Sequence, residues 1–258
     1  MSGAALRDLV RRNETLTNSI VRLAGRVQSL RDRRLSLRDR WSRRTSDESR
    51  YWVDALSAAD ARERFADRLD PDTDVTGKVL RRAIGEIDSE QVSILDVGSG
   101  PLTSVGKKYP GKQLTLVAID ALADEYVGIL QASGIGAPVL PEKCSGEEIL
   151  DRYEPQSFDV AFIDNALDHT ADPLLVLDNM LGVIKPAGRV GLCHGRNEGE
   201  RNGYFGIHLW NIDCRDGRLI IWNREVQHDV AARLHERFRV ESWPSGDDTV
   251  NCLIRPRT

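Results

Sequence analysis

Val92-Ser93-Ile94-Leu95-Asp96-Val97-Gly98-Ser99-Gly100-Pro101-Leu102-Thr103 is a strand followed by a glycine turn. Val92 to Val97 reads as a buried strand, ended by Gly98-Ser99-Gly100. The two glycines let backbone approach a ligand closely. A helix is expected to start just beyond, adding unpaired N–H groups at its first turn. A dinucleotide fold would offer GxGxxG here to seat a pyrophosphate. The third position is instead Thr103, and the next glycine is Gly106. Asp96 stands just before the turn. Its carboxylate would repel a pyrophosphate but could accept from an ammonium or, through water, a ribose.

Downstream, strands and helices alternate. Leu114 to Ile119 is read as the second strand, ended by Asp120, twenty-four residues after Asp96. An acid there reaches the two hydroxyls of a ribose. One acid facing a positive amino-acid end and another facing a ribose suit an adenosyl-amino-acid cofactor. Ala123 to Ala132 is expected to be helix, Ala137 to Leu140 a third strand and Glu147 to Tyr153 a short helix. Phe158 to Ile163 follows as a fourth strand, Pro173 to Val183 as its helix, and Arg189 to His194 as a fifth strand. The alternation indicates βαβ crossovers and a parallel sheet. Toward the end, Arg215-Asp216-Gly217 separates Gly206–Asp213 from Arg218–Trp222, a hairpin signal. In that reading His208, Trp210 and Ile212 share one strand face. Glu225 to Phe238 is expected to be the last helix. Arg239–Trp243 and Thr249–Ile254 should close the sheet with an antiparallel edge.

Upstream, the chain reads as an arm and a cap. Ile20, Leu23, Val27 and Leu30 recur at nearly heptad spacing, so the arm needs a partner surface. The same helix of another subunit is the preferred partner, giving a homodimer; the body of the chain and a membrane or nucleic-acid surface are the alternatives. Arg43 to Ser49 reads as a polar break before a second amphipathic helix containing Tyr51, Trp52, Ala55 and Leu56. Asp60–Leu69 and Thr76–Ile87 are expected to be further helices. The division is therefore a helical arm over 1–45, a helical cap over 46–90, and a domain over 91–258 with a hairpin insertion at 205–222.

Length and composition agree with one large α/β unit plus an appendage: 258 residues, 40% hydrophobic and 29% charged. From Val21 to Arg44 nine arginines face two aspartates, a balance of +7 within a chain of net charge -4. The body is therefore acidic, which argues against a nucleic-acid partner. No apolar run approaches eighteen residues and no apolar signal core opens the chain, so a cytoplasmic protein without a membrane partner is expected. Cys144, Cys193, Cys214 and Cys252 form no CxxC unit and are expected to be free thiols.

Several motifs in order resemble the class I S-adenosylmethionine-dependent methyltransferases of the small-molecule type. The resemblance covers roughly Val92 to Pro186. Leu95 to Gly100 is similar to the glycine-rich first motif, and Asp120 to the ribose-binding acid. Cys144 to Leu150 stands where that family contacts adenine. Ser157-Phe158-Asp159-Val160 is similar to the start of the fourth strand. Asn165-Ala166-Leu167-Asp168-His169 resembles the loop whose histidine sits at the cofactor site. Leu181 to Gly188 resembles the turn before the fifth strand. Two departures stand out: Pro101-Leu102 precede Thr103 where a third glycine is usual, and Ala187 replaces a glycine.

The resemblance implies a Rossmann-like, seven-stranded, mostly parallel sheet with an antiparallel last strand, preceded by the helical arm. It implies S-adenosylmethionine as cofactor, held by Asp96, Gly98, Gly100, Asp120, Ala121, Gly146, Glu147, Asp164 and Asn165. An alcohol acceptor also needs a base. His169 is the first candidate because its ordinary pKa suits proton abstraction near neutral pH; Asp168 would orient it, and His208 is the alternative. His194, Glu198, Tyr204 and Trp210 are the candidate acceptor contacts, since aromatics stack on sugar faces while polar groups bind hydroxyls. Mg2+ is an optional second cofactor, with Asp164, Asp168, Glu198 and Asp213 as oxygen donors. The expected reaction is methylation of a sugar or oligosaccharide hydroxyl, a mannoside of polysaccharide biosynthesis being one case. The alternatives are an O- or N-acceptor of another natural product, RNA or protein methylation through the arm, and a non-enzymatic scaffold.

Overall fold

A computed structural model describes Val27 and residues 35–257. Of the arm's stripe, Ile20, Leu23 and Leu30 lie outside the described residues. The first long helix, α1 (Leu37–Ser57), is capped by Ser36, whose Oγ accepts from the Asp39 N–H at 3.1 Å. It runs unbroken through Arg43–Ser49, where a break was expected. That stretch holds no glycine or proline, and its polar groups find partners on the body. The buried Arg44 guanidinium donates to the carbonyls of Tyr204 and Gly206 at 3.2 and 2.8 Å, and Ser49 bonds to Glu125. The expected Asp60–Leu69 helix is two short turns, Ala61–Arg64 and Ala66–Leu69. The next helix, α2, is limited to Lys78–Gly85.

Seven strands form the main sheet: β1 (Gln91–Val97), β2 (Gln113–Asp120), β3 (Glu142–Lys143), β4 (Phe158–Asp164), β5 (Ile184–Gly195), β9 (Phe238–Ser245) and β10 (Thr249–Pro256). Their spatial order is β3-β2-β1-β4-β5-β10-β9. The first five run parallel, and β10 lies antiparallel to both β5 and β9. The doubly wound sheet with an antiparallel last strand is therefore present. Helices α3 (Ala123–Ala132) and α4 (Pro173–Val183) begin and end where the sequence places them. Asp172 caps α4, with its carboxylate accepting from the N–H groups of Leu174 and Leu175.

Both sheet faces are covered, and the strands alternate accordingly. Leu95, Ala161 and Ile163 pack with Val176, Leu177 and Met180 of α4. Their neighbours Ile94, Val160 and Phe162 pack on the other side with Val79, Leu80 and Ile84 of α2. Ala55, Leu56 and Phe65 join Leu102 and Leu130 in a third cluster, which seats the N-terminal helices on the rim. At the sheet edge, Glu86 bonds to Arg255 at 2.7 Å and to Arg189 at 2.9 Å, while Glu241 bonds to Arg82 at 2.6 Å and to Arg255 at 3.0 Å.

Four other expectations need correction. No helix follows the glycine turn: Pro101 lacks an N–H, and the Thr103 hydroxyl takes the Val105 N–H that helix growth would need. Ala137–Leu140 is not a strand. It contains Pro138 and is followed by Pro141, neither of which can donate to a ladder, and pairing waits until β3. Glu225–Phe238 is not one helix. Gln227–Asp229 pairs as a strand, β8, and Asp229 then caps a short helix, Val230–Leu234, by accepting from the Ala232 N–H at 2.9 Å. The hairpin exists as β6 (Asn211–Arg215) and β7 (Arg218–Trp222), so His208 and Trp210 precede it rather than lie in it. Its turn has positive φ at Asp216 and Gly217, as a two-residue type I′ turn requires. With β8 it makes a separate three-stranded sheet.

Candidate functional site

The parallel register brings the C-terminal ends of β1, β2 and β4 to one rim, with Val97 opposite both Ile119 and Ile163. Strand order reverses at β1, which is where open α/β sheets form a ligand crevice. A cavity of about 590 Å³ occupies that place. Its floor is the turn after β1, where Gly98 and Gly100 have φ of 68° and 64°. A Cβ on Gly98 would stand 2.5 Å from the Ala166 Cβ, and one on Gly100 3.1 Å from Trp52. The N–H groups of Gly98 and Ser99 donate to the Ile119 carbonyl and fix the turn to β2.

The carboxylates around this floor have distinct surroundings. Asp120 accepts from the Gly100 N–H at 3.0 Å and the Leu122 N–H at 2.9 Å, while burial pushes its carboxyl pKa up. Asp96 is buried and accepts from the Thr103 hydroxyl at 2.6 Å; burial pushes its carboxyl up to about 7. Thr103 thus has its own use where a third glycine is usual. Asp164 accepts from Ser104 at 2.7 Å. Asn165, at φ 53°, accepts from the Gly195 N–H through its side chain and so joins β4 to β5. Glu147 accepts from the N–H groups of Ala171 and Asp172, and with Ala121 and Gly146 it lines the cavity. All nine residues expected around a cofactor therefore border one space.

Behind the far wall lies Asp168, fully buried, at the centre of three histidines. Its Oδ1 accepts from Nε2 of His194 at 2.9 Å, and its Oδ2 accepts from Nδ1 of His208 at 2.7 Å. Nε2 of His169 lies 3.5 Å from Oδ1 and 3.1 Å from Nδ1 of His208. His194 is itself buried, and its Nδ1 donates to the Gly195 carbonyl at 2.7 Å. Both its ring nitrogens lie against acceptors, Nε2 also meeting the Asp168 N–H at 3.4 Å; burial lowers its pKa, but the Asp168 carboxylate outweighs burial and raises it. The surrounding histidines hold the Asp168 carboxyl far below the usual range despite burial. Burial lowers His169 to about 4, whereas Asp168 raises His208. His169 and His208 alone of the four reach the cavity, with 20% and 25% of their side chains exposed.

The candidate acceptor contacts lie elsewhere. His194 stands behind Asp168. Glu198 accepts from the Asn202 side chain at 2.9 Å. The Tyr204 hydroxyl accepts from Asn211, and Trp210 donates its indole N–H to the Thr170 carbonyl at 3.0 Å. None of the four borders the cavity. The wall on that side comes from α1 instead, through Trp41, Thr45, Glu48 and Trp52. Glu48 accepts from the Trp52 indole at 2.9 Å, and burial raises its carboxyl pKa. The i, i+4 spacing of Glu48 and Trp52 was the available signal, hidden by the assumption of a polar break. The oxygen donors considered for Mg2+ do not gather. Asp213 is tied to Arg196 at 2.7 Å, Glu198 to Asn202, and Asp164 to Ser104. Among the described residues, Asp168, His169 and His208 are instead the three whose ligand atoms lie within 4.8 Å of one another.

No family model matches the chain. An "Uncharacterized methyltransferase" of Mycolicibacterium vanbaalenii is 28% identical over 219 residues, which is 69% of this chain and 79% of that protein. A "Ubiquinone biosynthesis O-methyltransferase" of Xanthomonas campestris pv. campestris is 27% identical over 184 residues, 63% of this chain and 76% of its own. Among solved structures, a SAM dependent methyltransferase from Aquifex aeolicus matches 78% of this chain and 95% of its own, at 16% identity and a TM-score of 0.44. A 1,6-didemethyltoxoflavin-N1-methyltransferase from Burkholderia thailandensis matches 78% and 84%, at 16% identity and a TM-score of 0.41. No described helix is long and apolar enough to cross a membrane.

Proposed function

We propose that this chain is an S-adenosylmethionine-dependent methyltransferase of a small molecule, and that its acceptor is a hydroxyl of a sugar or oligosaccharide. One observation carries the reading: a single cavity joins a glycine floor and acidic strand ends to a histidine–aspartate cluster. Asp96, Asp120 and Asp164 make that floor hostile to a pyrophosphate and suited to a ligand with an ammonium, a sulfonium and a ribose. The absent Cβ atoms of Gly98 and Gly100 leave room for close backbone approach. Asp120 keeps lone pairs for two ribose hydroxyls beyond the N–H groups it already accepts. The curated relatives are methyltransferases by name.

S-adenosylmethionine, when bound, supplies an electrophilic methyl carbon on sulfur. The chain's task is to hold an acceptor oxygen in line with it, exclude water and remove the hydroxyl proton. His208 takes the proton in this reading, ahead of His169. Its Nδ1 donates to buried Asp168, which leaves Nε2 as the basic atom. Trp41 and Trp52 offer flat apolar surfaces to a sugar face, and Glu48 offers an acceptor for its hydroxyls. The same indole walls favour a second reading, an aromatic hydroxyl, in keeping with the name of the Xanthomonas relative.

Calorimetry should show saturable binding of S-adenosylmethionine and its demethylated product, weakened at least tenfold by Asp120→Ala. Transfer of labelled methyl groups to a panel of sugars and phenols then separates the two readings. His208→Ala should cut transfer by about 10² or more while product binding stays within a few-fold. Binding of NAD with no response to either sulfur compound would overturn the proposal.

A further inference from the structure

We propose that Asp168, His169 and His208 form a binding site for one divalent transition-metal ion, with its open positions facing the cavity. What the ion does there rests on the methyl-transfer reading; where it binds does not. The ligand atoms are a carboxylate oxygen of Asp168, Nε2 of His169 and Nδ1 of His208. Nδ1 of His208 lies 2.7 Å from Oδ2 of Asp168 and 3.1 Å from Nε2 of His169, which in turn lies 3.5 Å from Oδ1 of Asp168; one ligand atom from each residue falls within 4.8 Å of the other two. Metal–ligand bonds of about 2.0–2.2 Å place neighbouring ligands roughly 2.9–3.4 Å apart, between octahedral and tetrahedral geometry. The two imidazole nitrogens already stand at that spacing, and each lies within 3.5 Å of one oxygen of the Asp168 carboxylate between them.

The site is built rather than incidental. Asp168 and His194 are both fully buried, and His194 holds the carboxylate from the side away from the cavity. A buried partner on a ligating carboxylate fixes its direction. The two loops carrying the histidines are tied together: the Leu209 N–H donates to the Asp168 carbonyl at 3.0 Å, and Trp210 to the Thr170 carbonyl. The rings of His169 and His208 lie 4.7 Å apart with both nitrogens turned inward. Without an ion, one proton fills the gap between Nδ1 of His208 and Asp168. On binding, that proton moves to Nε2 through solvent, the ring stays neutral, and Nδ1 becomes a ligand.

Two imidazoles and one carboxylate select Zn2+, Fe2+, Mn2+ or Co2+ over Mg2+, which takes oxygen ligands. An acceptor hydroxyl on an open position would lose its proton more readily, because the ion lowers the pKa of a bound oxygen acid. In the loaded protein His208 is then a ligand and not the base, and the hydroxyl proton would pass to water in the cavity.

Co2+ is the probe, added to untagged, cofactor-free full-length protein. One equivalent should bind, with visible bands of a mixed nitrogen–oxygen sphere, and Zn2+ but not Mg2+ should displace it. His169→Ala and His208→Ala should each weaken binding at least tenfold, while calorimetric binding of the demethylated cofactor confirms that they are folded. The wild-type spectrum alone is decisive if the variants fail to fold. A hexaaqua spectrum, a thiolate-to-cobalt band, or full binding by the doubly substituted protein overturns the site. Methyl transfer that persists without any cobalt binding overturns the site and leaves the methyltransferase reading standing. Cobalt binding without methyl transfer does the reverse.

Discussion

Asp168 follows Leu167 in a short 3-10 turn and has no surface at all, yet it holds a negative charge. Burial alone would drive such a group neutral; two short hydrogen bonds from His194 and His208 reverse that. Replacing one member of a buried pair leaves the other without its counter-charge. Asp168→Asn is therefore expected to cost about 3 kcal/mol of stability, read from urea unfolding. A loss under 1 kcal/mol would mean that His194 is neutral in the fold. The sequence marked Asp168, His169, His194 and His208 as chemical residues. Their division into a hidden pair and a cavity-facing pair was not legible, because it depends on distant segments: His194 and His208 reach Asp168 from 26 and 40 residues along the chain.

Helix α1 is the element whose role changed most. Read as arm, break and cap, it is one helix of 21 residues. Arg44 ties it to the Tyr204–Gly206 segment just before His208, and Trp52 covers the Gly100 turn. The helix thus touches both ends of the cavity. Trp52 also packs edge-on against Tyr126 and at a tilt against Phe65, so it is a fixed wall. Trp52→Ala should weaken cofactor binding by roughly tenfold through lost packing and an opened cavity. It should leave the sheet intact by circular dichroism; unchanged affinity would remove α1 from the binding site. The polar letters of Arg43–Ser49 misled because helix stability in proteins comes mostly from tertiary partners. Arg44 and Ser49 find theirs on segments 76 or more residues away.

At the scale of the whole molecule, Glu86 joins the end of α2 to β5 and β10. The Arg255 and Arg189 guanidinium groups hold its carboxyl at about 2, below the ordinary 4.5. A folded pKa below the unfolded one gives stability that is present above about 4.5 and lost as pH falls through about 2. Glu86→Gln should lower the melting temperature at pH 7 by about 3 °C, the shift from about 1 kcal/mol in a chain of this size. The gap between variant and parent should shrink as pH falls from 4.5 toward 2, and a pH-independent gap would assign the loss to packing.

Local pattern alone was enough for the long strands of the main sheet and the helices α3 and α4. Buried parallel strands must be apolar on both faces, so β1, β4 and α4 were visible as local patterns. Local pattern was enough for the rim too, since Asp96 and Asp120 stand in the closing residues of their strands and Gly98 and Gly100 follow β1 whatever packs around them. The short elements were settled by tertiary contacts: β3 just after Pro141, the strand at Gln227–Asp229, and the absence of a helix after Gly100. There the local preference was weak, and long-range hydrogen bonds chose. The tertiary structure alone decided the histidine side of the cavity. His169 and His208, 39 residues apart, meet there through hydrogen bonds between distant loops, and α1 closes over them through side chains that no short-range period connects to the rim.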